Sequence, residues 1–195
     1  MIERIALLVA LVLPCGYVSA QALEREAPSC SEDAVKSARE GAARGEAASL
    51  YLMARYYSTG KCFAGDGEKA VNFYWQAAKL DYPPAFYNLG VVAAGGERDY
   101  KKAELMFFRG AQLGHRGSEL QLAVLYQFAP VPVADKVKSY AWLTVTANRG
   151  EPVSQEAKSL LEDLEHKIAS EERERGKALA GRLSSQFGNV PPFAF

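Results

Sequence analysis

Residues 85–115 read AFYNLGVVAAGGERDYKKAELMFFRGAQLGH, and the fold is decided by the fact that this phrase occurs three times. Upstream it appears as ASLYLMARYYSTG at 48–60 followed by GEKAVNFYWQAAKLD at 67–81. Downstream it appears as SELQLAVLYQFAPVPVAD at 118–135 followed by KVKSYAWLTVTANRG at 136–150. Leu52, Leu89 and Leu122 share one position, and Met53, Gly90 and Ala123 the next. In the second half of each unit Ala70, Ala103 and Ser139 correspond, as do Ala78, Ala111 and Ala147. These anchors step by 33 to 37 residues, and the variation falls in the turns. A period of that size marks stacked supersecondary units that bury apolar faces against their neighbours.

Each unit reads as two helices. Ala48, Leu52 and Tyr56 stand at i, i+4 and i+8 on one face, and Ala70, Tyr74 and Ala78 form the matching stripe. The small residue beside the leucine lets the partner helix approach closely. Gly60, Gly95-Gly96 and Pro130-Val131-Pro132 are expected to break the chain between helices. Asp81, Gly114 and Gly150 fall where the second helix ends, and the two glycines suit a left-handed cap.

The pattern resembles the Sel1-like repeat, a helix-turn-helix relative of the tetratricopeptide repeat. The residues that carry the likeness are A-x-x-x-L-G at Ala85–Gly90, D-x-x-K-A at Asp99–Ala103 and YAWLTVTANRG at Tyr140–Gly150. The units depart from the family form where Met53 replaces glycine and where Ser118 and Ser139 replace alanine. With its flanks the likeness spans residues 31–187. It implies an all-α, right-handed α-solenoid of about three repeats with partial helical units at both ends, about eight helices in total.

The flanks agree. Ser31 followed by Glu32 and Asp33 is a good helix start, and a helix from Ala34 to Arg44 would form half of a preceding unit. After Pro152, residues Ser154–Ile168 read as a helix with Leu160, Leu161 and Leu164 as its stripe. Ser170 opens a last helix through Leu183, whose charged EERERGK suits a solenoid cap. Residues 188–195 read as a non-helical tail.

Residues 1–20 have the pattern of a secretory signal peptide: a charged start, an apolar run from Ile5 to Leu13, then small residues. Cleavage is expected after Ala20 or Ala22, with 21–30 as a linker. The apolar run is half of what a membrane span needs, and Pro14 before Cys15 disfavours a lipoprotein. No later stretch is long and apolar enough to cross a membrane, so none is expected after cleavage. Export leaves Cys30 and Cys62, and an even pair in an exported chain implies a disulfide. Closing that loop stabilises the fold by about 3–4 kcal/mol on the chain-entropy model. The bridge would pin the first helix onto the first full repeat.

Catalytic or metal chemistry finds little footing. With only His115 and His166, the cysteines have no zinc-ligand spacing, and neither histidine has a serine or cysteine at recognisable spacing. His115 is expected to pack at a repeat boundary. Acid pairs such as Glu162 and Glu165 read as a solvated face, and Phe73-Tyr74-Trp75 and Phe107-Phe108 as inter-repeat core. No phosphate loop or nucleophile elbow is present. No metal, cofactor or enzymatic activity is expected. The 195 residues carry 23 basic and 23 acidic side chains, so bulk nucleic-acid binding is not expected either. The neutrality is uneven: Arg98 to Arg116 carries a local +3, and from Glu151 onward the balance is −2.

Surface remains. In solenoids of this kind the first helices line the concave face. The residues off the leucine stripe are Leu50, Ala54 and Tyr57; Tyr87, Val91 and Ala94; and Leu120, Val124 and Gln127, each set at i, i+4, i+7. Three such ridges side by side would form an apolar groove for a helix or an extended peptide, unless neighbouring helices or the tail cover it. The likeness therefore implies a periplasmic or secreted interaction scaffold that holds a protein partner of the cell envelope. A weaker likeness, of architecture alone, is to the MotX family of flagellar motor proteins, similarly short, exported and bearing cysteines near the first helix and in the next turn. A cell-wall-related hydrolase is the remaining alternative, because some cysteine-rich Sel1-like proteins are linked to such compounds. Those carry a cysteine pair in every repeat, whereas this chain has one pair.

Overall fold

The computed structural model describes residues 29–150 and 153–187. Among them are nine α-helices and no strand: α1 (Glu32–Ala43), α2 (Ala47–Thr59), α3 (Gly67–Ala78), α4 (Pro83–Val92), α5 (Tyr100–Gln112), α6 (Arg116–Phe128), α7 (Lys136–Ala147), α8 (Ser154–Glu165) and α9 (Ser170–Phe187). The signal segment, the linker up to residue 28, and the tail lie outside the described residues.

The helices start where short acceptors recur. Ser31 caps α1 by accepting from the Ala34 N–H. The second helix of each repeat is capped by an aspartate: Asp66, Asp99 and Asp135 accept from the N–H of Lys69, Lys102 and Lys138, each at 3.0 Å. The D-x-x-K spacing is thus an N-cap, and the carboxylate also complements the helix dipole. The second helices stop through left-handed residues. Gly114 and Gly150 have φ of 84° and 85°, and Asp81 adopts φ 54° although it carries a side chain. Asp81 is held there in part by Arg109, whose Nη2 lies 2.9 Å from its carboxylate.

Gly95-Gly96 does not break the chain as expected. The backbone runs on as a π turn over Ala93–Glu97 and ends at Arg98, which is left-handed at φ 54°. The Asp99 N–H then reaches back to the Ala93 carbonyl at 2.9 Å, so wider hydrogen-bonded turns absorb the glycines before α5 begins. Two ends also move: α8 stops at Glu165, and α9 continues past Leu183 to Phe187.

Helices pair as α2 with α3, α4 with α5, and α6 with α7, and each pair stacks on the next to form an α-solenoid. One apolar cluster joins α2, α3 and α4, including Leu50, Tyr51, Ala54, Tyr74 and Leu89. A larger one runs from α4 to α9 through Phe107, Leu120, Leu122, Trp142 and Leu143. Ala38, Met53 and Tyr56 form a smaller cluster that seats α1. The small residue after the leucine has a clear purpose in the middle repeat. A Cβ on Gly90 would lie 2.5 Å from Phe107 Cε1, so only glycine admits that ring.

The C-terminal pair is not a fourth repeat. Instead of packing on α8, α9 lies along α7. Its buried stripe is Gly176, Ala180, Leu183 and Phe187. Gly176 rests against Tyr140, where a Cβ would sit 2.7 Å from Cδ1. Phe187 anchors the far end, with ring centroids 5.7 Å from Trp142 and 6.1 Å from Phe108.

Candidate functional site

The nine ridge residues divide by position along their helices. Leu50, Ala54, Tyr87 and Leu120, from the earlier turns, are buried in the core. Tyr57, Val91, Ala94, Val124 and Gln127, towards the helix C-termini, stay half-buried. An apolar groove running the whole length of these ridges is therefore corrected: its N-terminal half is interior. The physical reason is that the first helix of each unit has two buried faces. One meets the neighbouring repeat, and the other meets its own second helix. The ridge residues reach both: Tyr87 packs on His115 of the next repeat, with ring centroids 5.2 Å apart. Tyr57 stacks on Phe73 of α3 with centroids 5.8 Å apart and planes 8° from parallel, and Tyr87 packs on Phe107 of α5. What stays accessible lies near the turns that lead from first to second helices.

Those turns form a cleft. Glu97, Arg98, Asp99, Tyr100 and Lys101 of the second repeat face Pro130, Val131, Pro132 and Val133 of the third across about 380 Å³. The 130–133 turn is held by the Val133 N–H on the Pro130 carbonyl at 3.0 Å and by the Asp135 N–H on the Tyr126 carbonyl at 2.8 Å.

Cys30 and Cys62 are bonded, with Cα atoms 5.2 Å apart. The bridge joins the lead-in to α1 with the turn after α2. Around it Tyr56 donates to the Ser29 carbonyl at 3.0 Å, Phe63 packs edge-on against Tyr56, and Arg39 lies 4.9 Å over the Phe63 ring.

Two buried polar clusters were not visible in sequence. His115 does have a serine partner: its Nδ1 lies 2.9 Å from Ser118 Oγ and accepts from the Ser118 N–H at 3.1 Å. Both residues are buried, and the imidazole serves as the N-cap of α6 rather than as a base. Burial pushes its pKa down to about 4. A histidine three residues ahead of a serine at a helix start is the signal that sequence reading could have used.

The second cluster is ionic. Glu119, in the first turn of α6, has no exposed side-chain surface, and Arg116 Nη1 and Arg149 Nη1 approach its Oε1 at 3.5 and 3.4 Å. The Arg149 side chain is 8% exposed. Burial pushes the Glu119 carboxyl up, and the Arg149 and Arg116 guanidiniums pull it back. The arrangement clamps the start of α6 to the end of α7. His166, by contrast, is exposed at the end of α8. Among the described residues no group of three or more His, Cys, Asp or Glu is placed to hold a metal ion. No described helix is long and apolar enough to cross a membrane.

No protein-family model and no curated protein sequence matches the chain. Solved structures do. A Sel1 repeat protein from Oxalobacter formigenes is similar over 66% of this chain and 97% of its own length, at 22% identity and a TM-score of 0.57. A protective antigen of uropathogenic Escherichia coli with an SLR fold aligns with 92% of this chain and 46% of its own, at 18% identity and a TM-score of 0.44. Three helix pairs in register, aspartate caps at each second helix and the first of these neighbours together show that the chain has the Sel1 repeat fold.

Proposed function

We propose that the chain is an exported repeat scaffold that holds a protein partner in the cell envelope. The observation that carries this is the row of half-buried side chains left along the stacked first helices: Tyr57, Val91, Val124 and Gln127. The partial exposure of Tyr57, Val91 and Val124 supplies apolar area of the kind that the centres of protein-binding surfaces use. Export is supported by the Cys30–Cys62 bond, since such bonds persist in oxidising compartments.

Photo-crosslinking in cells tests the reading. A photoreactive residue at Gln127 is expected to trap a discrete partner in the envelope fraction, and one at the exposed Lys158 of α8 is not. Equal labelling at both sites, or recovery of the chain from the cytosol with Cys30 and Cys62 as free thiols, overturns it.

A second reading is a structural component of a flagellar motor, of the MotX type. It is favoured by the bridge joining the lead of the first helix to the first turn. Deletion of the gene is then expected to abolish swimming through soft agar while leaving flagella assembled. Unchanged swimming removes this reading.

A further inference from the structure

We propose that the cleft between the turns of the second and third repeats binds an acidic, extended segment of a partner protein that inserts an apolar side chain. This rests on the scaffold reading and assigns it a place and a partner chemistry.

Val131 is 87% exposed, held out from the surface between Pro130 and Pro132. A branched apolar side chain fixed outward by two rigid neighbours has lost the freedom to fold back onto the protein. Across the cleft stands Tyr100, half-buried, so the floor has apolar surface on both walls. The volume of about 380 Å³ sits at the small end of the ~300–1,000 Å³ range of ligand clefts and suits a few peptide side chains.

The rim has an unbalanced commitment of charge. Both of its acids are engaged by one residue: Glu97 pairs with Lys102 Nζ at 2.9 Å, and Asp99 accepts from the Lys102 N–H at 3.0 Å. Arg98 and Lys101 are exposed and form no ion pair among the described residues. Arg98 is also held in the left-handed conformation, which is unfavourable for a side-chain-bearing residue, so the turn fixes where its Cα–Cβ bond departs. Two uncommitted cations beside an apolar floor complement carboxylates flanking an apolar residue. Of the other bases between Arg98 and Arg116, Lys102, Arg109 and Arg116 are paired with Glu97, Asp81 and Glu119, so Arg98 and Lys101 are the cations left to draw such a segment in. Two cations are too few for a polyanion that binds by releasing counterions along its length.

The test uses the purified full chain with an acetylated, amidated octapeptide of alternating aspartate and leucine, and a control with asparagine in place of aspartate. Fluorescence anisotropy reads affinity, and amide shifts read location. The acidic peptide is expected to bind saturably, at least tenfold more tightly than the control, with shifts centred on Arg98, Lys101 and Val131. The surface variants Arg98→Gln with Lys101→Gln, and Val131→Asp, are each expected to weaken binding at least tenfold without changing the melting temperature. No binding, equal affinity for the neutral peptide, shifts mapping elsewhere, or tighter binding of polyphosphate overturns the cleft assignment. The crosslinking at Gln127 repeated in the Arg98→Gln, Lys101→Gln background separates the two proposals. Partner capture that persists undiminished removes the cleft and leaves the scaffold, whereas loss of capture supports the cleft.

Discussion

His115 shows what burial does to a residue that sequence offers as a chemical group. Its Nδ1 accepts the Ser118 N–H at the start of α6, and that role needs the neutral ring. An unfolded imidazole takes up a proton near pH 6.5, whereas the folded one waits until about 4. Stability present above pH 6.5 is therefore lost as the pH falls through this interval, by about 3 kcal/mol at ~1.4 kcal/mol per unit. Urea unfolding followed by circular dichroism at pH 7 and pH 4 measures the loss, and His115→Asn, which keeps a capping acceptor, is expected to flatten it. Glu119 makes a similar point. Truncation to alanine strands the Arg149 guanidinium in the interior and is expected to cost about 3–5 kcal/mol. Glu119→Leu with Arg149→Met is expected to recover most of this in the same assay. The sequence places His115 at a repeat boundary as a packing residue, but neither its capping role nor the burial of Glu119 is legible there, because an acid in a first helical turn reads as solvated. The available hint was its surroundings: Leu120, Leu122, Ala123, Val124 and Leu125 leave α6 apolar on nearly every side, as only an interior helix can be.

At the scale of elements, the repeat anchors were legible because small and leucine positions answer to close helix approach, which nothing else supplies. Gly90 against Phe107 is the clearest case. The cysteine pair is legible from its even number and the expected export. The ridges are not. An apolar residue at i, i+4, i+7 marks a buried face without saying whether neighbouring helices or a ligand bury it, and here the packed repeats bury Leu50, Ala54, Tyr87 and Leu120. The course of α9 was equally hidden, since its stripe of Gly176, Ala180, Leu183 and Phe187 would suit α8 as well as α7. Two outcomes follow for the terminal elements. Cys62→Ser is expected to lower stability by about 3–4 kcal/mol and to speed amide exchange in α1 before other helices. Phe187→Ala removes the ring that meets Phe108 and Trp142, at an expected cost of about 3 kcal/mol and with faster exchange confined first to α9.

Across the whole molecule the repeats differ from one another as much as they agree. The second repeat has a π turn with the exposed cations Arg98 and Lys101 beside it, the third an ionic clamp, and the first a covalent tie to α1. Such differences let one array present distinct chemistry at each step along its length, so a partner can be held in one orientation and one register. The course of α9 has a further consequence. By lying along α7 it leaves α8 without the second helix that would complete a fourth unit, so the repeat pattern stops at the third. The described array therefore ends on a helix pair unlike the repeats before it, which presents a second copy with no repeat geometry on which to stack head to tail. Small-angle scattering over a concentration series is expected to show a constant particle mass for the intact chain. Deleting α9 is expected to yield species that grow with concentration, as open filaments do when nothing terminates them.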